Sequence, residues 1–148
     1  MRKALICCVV VIEGLYLVSF LLPWTGRASE VTPGWRVVVR VIQLICEDPG
    51  NIHLVVRVLF LLANPLVWIG AVCLWARRPH FAMLAGAIAS GIAIYILYIT
   101  FGVIWDGFAG HVGLLMWTAS MVLLTASGLV FTIRQWRQMR RLPMVGEM

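Results

Sequence analysis

The sequence predicts an all-α integral membrane protein, a four-transmembrane-helix bundle with an interfacial element in the first outer loop. Hydrophobic residues make up 62% of the 148-residue chain and charged residues only 12%, and the mean hydropathy is +0.97. An ordinary soluble domain is roughly 45–50% apolar and 25% charged. This chain has more apolar side chain than one small core can enclose, which excludes a water-soluble globule.

Four apolar segments are long enough to cross a bilayer, which requires about 20 helical residues. They cover residues 4–22, 52–75, 81–104 and 112–133. Pro23 ends the first segment because proline cannot continue the helical hydrogen-bond ladder. A very short turn separates the second and third segments, so these two helices should form an antiparallel hairpin. We therefore expect one membrane domain over residues 1–148, with a basic tail from 134 to 148.

The positions of the basic residues predict how the chain is threaded, since Lys and Arg accumulate in cytoplasmic loops. One side of the membrane would carry Arg2, Lys3, Arg77, Arg78, Arg134, Arg137, Arg140 and Arg141. The opposite side, which includes the loop 23–51, would carry bases and acids in equal number. Both termini should therefore be cytoplasmic, in the plasma (inner) membrane. Trp24 and Trp35 should then lie at the outer interface.

The middle of the outer loop, residues 35–47, carries the interfacial element. Polar residues recur there at intervals of four, three and four, which is the spacing of one helix face. They are Arg36, Arg40, Gln43 and Glu47. The competing interpretation is a strand, because Val37, Val38, Val39, Val41 and Ile42 are β-branched. The charge spacing favours an amphipathic helix that lies in the interface and caps the bundle.

Polar residues inside the predicted spans are the candidate functional residues, because a charge at the bilayer centre costs roughly 2.5–3.5 kcal/mol on insertion scales. The candidates are Glu13, Arg57, Asn64, Ser90 and Thr125. Glu13 lies near the middle of the first span. Paired with Asn64 or Arg57, it would fix the register of the bundle. As a proton- or cation-binding carboxylate, it would instead couple proton movement to a substrate or gate.

The position of Glu13, near the middle of the first of four short helices, resembles that of a glutamate in the small multidrug-resistance transporters. In that family such a glutamate binds protons and cationic drugs, so the resemblance implies a similar role here. The longer chain and the outer loop depart from the compact pattern of that family. We assign no family on this one residue.

The third predicted helix is rich in small residues at spacings of four, which let helix backbones approach closely. The packing face comprises Ala82, Gly86, Ser90, Ala87 and Gly91, with a second series at Ala85, Ala89 and Ala93. Because the small residues cover a broad arc, the helix could pack inside the bundle on one side and against another chain on the other. Internal packing and oligomerisation both remain open.

The sequence contains no arrangement that indicates catalysis, a metal or a cofactor. The cysteines at 7, 8, 46 and 73 form no C-x-x-C pair, and the histidines at 53, 80 and 111 have no metal-ligand spacing. There is no phosphate loop and no Gly-x-Ser-x-Gly motif. We therefore expect no enzymatic activity, no cofactor and no metal site.

The basic tail should contact anionic lipid headgroups or a cytoplasmic partner, through Arg134, Arg137, Arg140 and Arg141. Nucleic acid is not expected as a partner, because membrane topology alone explains charges so close to a span end. The expected function is that of a small non-enzymatic subunit or scaffold of a homo- or hetero-oligomeric membrane complex. The alternative is a small proton- or ion-coupled transporter or channel that uses Glu13.

Overall fold

The structure is a computed structural model that describes residues 2–25, 32–47, 54–103 and 111–140. Helices account for nearly all of these residues. In chain order the elements are α1 (Arg2–Leu21), β1 (Pro23–Thr25), β2 (Thr32–Pro33), α2 (Gly34–Glu47), α3 (Leu54–Trp75), α4 (Pro79–Val103) and α5 (Val112–Met139). The helices α1, α3, α4 and α5 are each long and apolar enough to cross a membrane. The four predicted helices are confirmed, and they are compatible with an integral membrane protein.

The helix α5 packs against α4 on one side and α1 on the other, and α3 packs mainly on α4. Its buried residues recur at alternating intervals of three and four, the spacing of one apolar helix stripe. The residues of this stripe are Leu114, Trp117, Met121, Leu124, Gly128 and Phe131, and Gly113, Thr118 and Ser120 beside it are also buried. This stripe supplies much of the core. On all four long helices, other large apolar side chains point away from the core and are exposed.

Glycines bring the backbones of α4 and α5 almost into contact. A Cβ added at Gly86 of α4 would lie 2.8 Å from the backbone nitrogen of Thr125 in α5. A Cβ at Gly128 of α5 would lie 2.5 Å from the backbone nitrogen of Met83 in α4. Both distances are shorter than van der Waals contact allows. Only glycine fits at these two positions. The helices α4 and α5 therefore pack with their backbones close together, as small residues permit in membrane helices.

The two ends of the bundle differ. The amino end holds the start of α1, the α3–α4 turn and the end of α5, whereas the loop end holds β1, β2 and α2. At the loop end, β1 and β2 pair antiparallel, and the N–H of Gly34 donates to the carbonyl of Leu22 at 3.1 Å. This hairpin turns Trp24 inward, where its side chain is only 1% exposed. Trp24 is therefore a core residue, whereas Trp35 is exposed, and the expectation that both lie at the outer interface stays a prediction.

Residues 34–47 form the helix α2, so the charge spacing is the correct guide and the strand interpretation is wrong. The polar face of α2 is exposed, and Arg40 and Glu47 approach to 3.8 Å across two turns of it. The opposite face is half-buried. Arg57 of α3 donates from Nη1 to the carbonyl of Leu44 at 3.1 Å, which ties α2 to the bundle.

The turn between α3 and α4 is short, as predicted, and it closes α3 with a pair of capping hydrogen bonds. The N–H of Arg77 donates to the carbonyl of Leu74 at 3.0 Å, and the N–H of Arg78 donates to that of Cys73 at 2.8 Å. This is the Schellman arrangement. It holds Arg77 in the left-handed region, at φ 57°.

The helix α5 extends beyond the predicted end of the fourth span at residue 133, and continues to Met139. Arg134 and Arg137 therefore lie on its last turns rather than in a tail, and Arg140 follows directly. No glycine or proline interrupts this segment, and its Arg, Gln and Met residues are good helix formers. Arg141 and the rest of the predicted tail lie outside the described residues.

Candidate functional site

The side-chain amide of Asn64 joins three helices at one point inside the bundle. Its Oδ1 accepts a hydrogen bond from the hydroxyl of Tyr16 in α1 at 2.9 Å and another from Nε1 of Trp117 in α5 at 3.0 Å. Its Nδ2 donates to the carbonyl of Phe60, one turn earlier in α3, at 3.3 Å. A carbonyl oxygen has two lone pairs, so both acceptor positions of Oδ1 are used. We call Asn64, Tyr16 and Trp117 the amide node.

An aromatic cluster covers the amide node on the side of the loop end. The rings of Trp24, Phe60 and Trp117 lie in mutual contact, with centroid distances of 5.1–5.6 Å. The polar atoms of Trp24 are paired: Nε1 donates to the carbonyl of Ser19 at 2.5 Å, and its own carbonyl accepts from Nδ1 of His111 at 2.8 Å. In the described part of the loop end, these rings therefore pack together, and the Nε1 and the carbonyl of Trp24 are both hydrogen-bonded.

Glu13 lies one turn before Tyr16 in α1, but it does not join the amide node. Both carboxyl oxygens are inaccessible to solvent, and neither has a hydrogen-bond partner among the residues that the structure describes. The expected pairing of Glu13 with Asn64 or Arg57 is not formed. The Nδ2 of Asn64, the donor that a carboxylate would need, donates to the carbonyl of Phe60 in its own helix, and Arg57 bonds instead to α2 at the loop end.

Ser90 and Thr125 form a second polar contact, separate from the amide node, between α4 and α5. Their hydroxyl oxygens lie 3.0 Å apart. The hydroxyl of Thr125 donates to the carbonyl of Met121 at 3.0 Å. A hydroxyl has only one proton to donate, so Ser90 must be the donor to Thr125. The five predicted polar residues thus fall at four places and do not form one continuous path.

No family model matches the chain, and no curated protein or solved structure matches it. The arrangement of its own side chains is therefore the basis for a functional interpretation.

The predicted packing face of the third span divides into two surfaces on α4. Most of its small residues are buried against neighbouring helices: Ala82, Ala85, Gly86, Ala89, Ser90 and Ala93. Ala87 and Gly91 face outward instead, and a Cβ added at Gly91 would meet no atom within 4 Å. They lie in a row of exposed residues that includes Leu84, Ile88 and Tyr95. We call this row the outer α4 face.

The amino end carries the predicted basic residues, and those described are exposed. They are Lys3, Arg77, Arg78, Arg134, Arg137 and Arg140. The guanidinium of Arg140 stacks over the ring of Trp136, 3.9 Å from its centroid. Within the described ranges, the carboxylates are Glu13 inside the bundle and Glu47 at the loop end, so no acidic side chain neutralises this positive end.

Tyr16 and Trp117 belong to the site but were not predicted as site residues. From the sequence, an aromatic residue in a membrane span is expected to pack in the core or lie at the interface. Nothing in the spacing of Tyr16 and Trp117 indicates that both contact one amide. A signal was available for Trp117, which occupies a core position in the three-and-four pattern of α5. A buried indole needs an acceptor for its N–H, and Asn64 was the amide at a matching depth.

Proposed function

We propose that this protein is a small non-enzymatic subunit or scaffold of a homo- or hetero-oligomeric membrane complex. The observation that carries the proposal is the outer α4 face, where Ala87 and Gly91 leave the backbone uncovered in the middle of α4. Residues this small at a spacing of four permit a second helix to pack closely. The paired hydrogen bonds of the amide node and of Ser90 with Thr125 further support a structural rather than a conducting interior.

The outer α4 face is tested by a leucine at Gly91, with a leucine at Gly14 as the matched control. Gly14 lies on the exposed side of α1, and a Cβ at either glycine meets nothing within 4 Å. Leucine is a better helix former than glycine, so both variants should keep the monomer fold. We expect Gly91→Leu to lower the oligomeric fraction in nanodiscs, measured by native mass spectrometry, and Gly14→Leu to leave it unchanged.

Two results would contradict this assignment. A wild-type chain that is monomeric in nanodiscs, and that brings down no other membrane protein after cross-linking in its native membrane, is not a complex subunit. A loss of association in Gly14→Leu but not in Gly91→Leu would move the contact from α4 to α1.

The proposed location is the plasma (inner) membrane, with both termini cytoplasmic and α2 at the outer interface. It is supported by the basic residues at the amino end and by the polar face of α2, which includes Arg36 and Arg40. The basic end should also contact anionic lipid headgroups, through Arg134, Arg137 and Arg140. A C-terminal epitope tag should be protected from protease in intact cells or right-side-out vesicles and cleaved in inverted ones. The reverse pattern would refute the orientation.

A second candidate function is a small proton- or ion-coupled transporter or channel, and Glu13 is the observation that favours it. A carboxyl group that is inaccessible and has no described hydrogen-bond partner is costly inside a bundle unless it binds something. The measurement is proton flux into vesicles with an internal pH dye under an imposed potassium diffusion potential. Glu13→Gln should abolish the flux. Glu47→Gln, the same change on the exposed polar face of α2, should not. Equal flux in the wild type and Glu13→Gln would exclude this candidate.

A further inference from the structure

A cavity of about 650 Å³ opens at the amino end of the bundle. It lies between the start of α1, the α3–α4 turn and the last turns of α5. Leu5, Ile6 and Phe131 contribute an apolar wall, and Arg77 and Gln135 contribute polar groups. The volume falls in the range of roughly 300–1,000 Å³ that is usual for ligand sites, which combine an apolar lining with a few placed polar groups.

The backbone conformation of Arg77 points to a role for its side chain in the cavity, in addition to the part its backbone plays in ending α3. The left-handed residue that ends a helix in this way is usually glycine, because a side chain there costs roughly 1–2 kcal/mol. At φ 57° the chain holds an arginine in this position. Backbone strain retained at a cavity is a reason to infer a functional side chain.

The positive charges at the amino end are not neutralised by any described side chain, so an anionic ligand would be favoured there. Among the described residues, no carboxylate lies beside Arg77 and its basic neighbours, because Glu13 is inside the bundle and Glu47 is at the loop end. The apolar wall favours a ligand with a hydrocarbon part. Trp75, which lines the same cavity, is a residue type enriched at the depth where headgroups meet acyl chains.

We propose that this cavity binds one anionic phospholipid, with the lipid phosphate against the Arg77 guanidinium and the Gln135 amide. The acyl chains lie along Leu5, Ile6 and Phe131 and leave the cavity into the bilayer. Guanidinium groups bind phosphate through paired, charge-assisted hydrogen bonds, which gives the site its preference for an anionic headgroup. Lipid binding at this site requires neither the outer α4 face nor transport through Glu13.

The test is native mass spectrometry of the full chain in detergent, titrated with phosphatidylglycerol and, separately, with phosphatidylcholine. The wild type should retain one phosphatidylglycerol in preference to phosphatidylcholine. Arg77→Gln should weaken retention of that lipid about tenfold or more, the effect of losing a hydrogen bond to a charged group. Arg78→Gln is the matched control, because it removes the same charge from the same turn. The side chain of Arg78 lines a different groove, between α3 and α4.

A second variant separates binding from folding. Arg77→Gly removes the guanidinium and relieves the left-handed backbone, so its thermal unfolding in lipid-free detergent should be unchanged or shifted upward. It should nevertheless lose the phosphatidylglycerol. Retention of the lipid by Arg77→Gly, or equal weakening by Arg77→Gln and Arg78→Gln, would overturn the site. Complete displacement of the lipid by millimolar inorganic phosphate would overturn the lipid assignment in favour of a phosphate site.

Discussion

Replacing Asn64 with leucine should destabilise the bundle, because it removes the one acceptor that serves both Tyr16 and Trp117. Hydrogen bonds between membrane helices contribute about 0.6 kcal/mol on average and at most about 1.7. Two such bonds are lost, at 2.9 and 3.0 Å, so the expected loss of unfolding free energy is about 1–3 kcal/mol. Ser90→Ala removes one interhelical bond and should cost about half as much.

The assay is unfolding of the detergent-solubilised protein by sodium dodecyl sulfate, followed by far-ultraviolet circular dichroism. Asn64→Leu, Tyr16→Phe and the double variant form a cycle that isolates the shared hydrogen bond. The coupling energy should be at least about 0.5 kcal/mol, since residues in direct contact are not additive. Additive losses would refute the amide node, as would an Asn64→Leu variant no less stable than Ser90→Ala.

Two further predictions concern a close helix approach and a surface ion pair. Gly128→Ala should cost about 1–3 kcal/mol in the same unfolding assay, because its Cβ would lie 2.5 Å from the backbone nitrogen of Met83. Gly14→Ala, at an open position, should be neutral or stabilising, and equal stabilities of the two variants would contradict the close packing. Arg40→Ala should change stability by less than about 0.5 kcal/mol, because Arg40 and Glu47 are more than half exposed and 3.8 Å apart. A loss above about 1 kcal/mol would mean that the pair is structural.

The helices were predictable because they depend on local patterns. Apolar runs of sufficient length identified the four long helices, and the spacing of charges identified α2 despite its β-branched residues. Intrinsic β-propensity is a weak signal, and at residues 37–42 the amphipathic pattern is the better guide. The helix α5 continues beyond residue 133 because the end of an apolar run marks where a membrane span stops, not where the helix stops.

The site was less predictable because its residues meet through tertiary packing. Trp24 follows the first span, and an indole there is usually interfacial, yet the β1–β2 hairpin folds it into the core. Asn64 was identified as a polar residue at the right depth, but its partners come from helices whose rotation the sequence does not specify. For Glu13 the sequence left two roles open, a pairing with Asn64 or Arg57 and a proton- or cation-binding carboxylate, because a charge inside a span is costly in either case.

The cavity and Glu13 lie on the same face of α1. Ile6 lines the cavity, and Glu13 follows it by seven residues, which is two helical turns and about 10 Å along the axis. Residues seven apart share a helix face. Towards the loop end, the rings of Trp24 and Trp117 pack in contact with each other. If a proton, an ion or a partner side chain reaches Glu13 from the amino end, phosphatidylglycerol bound at Arg77 should slow modification of Glu13 by a hydrophobic carbodiimide. If Glu13 reacts equally fast in Arg77→Gly with and without that lipid, but more slowly in the wild type with it, the route through the cavity is established. Equal rates in the wild type with and without the lipid would place access to Glu13 on another face of the bundle.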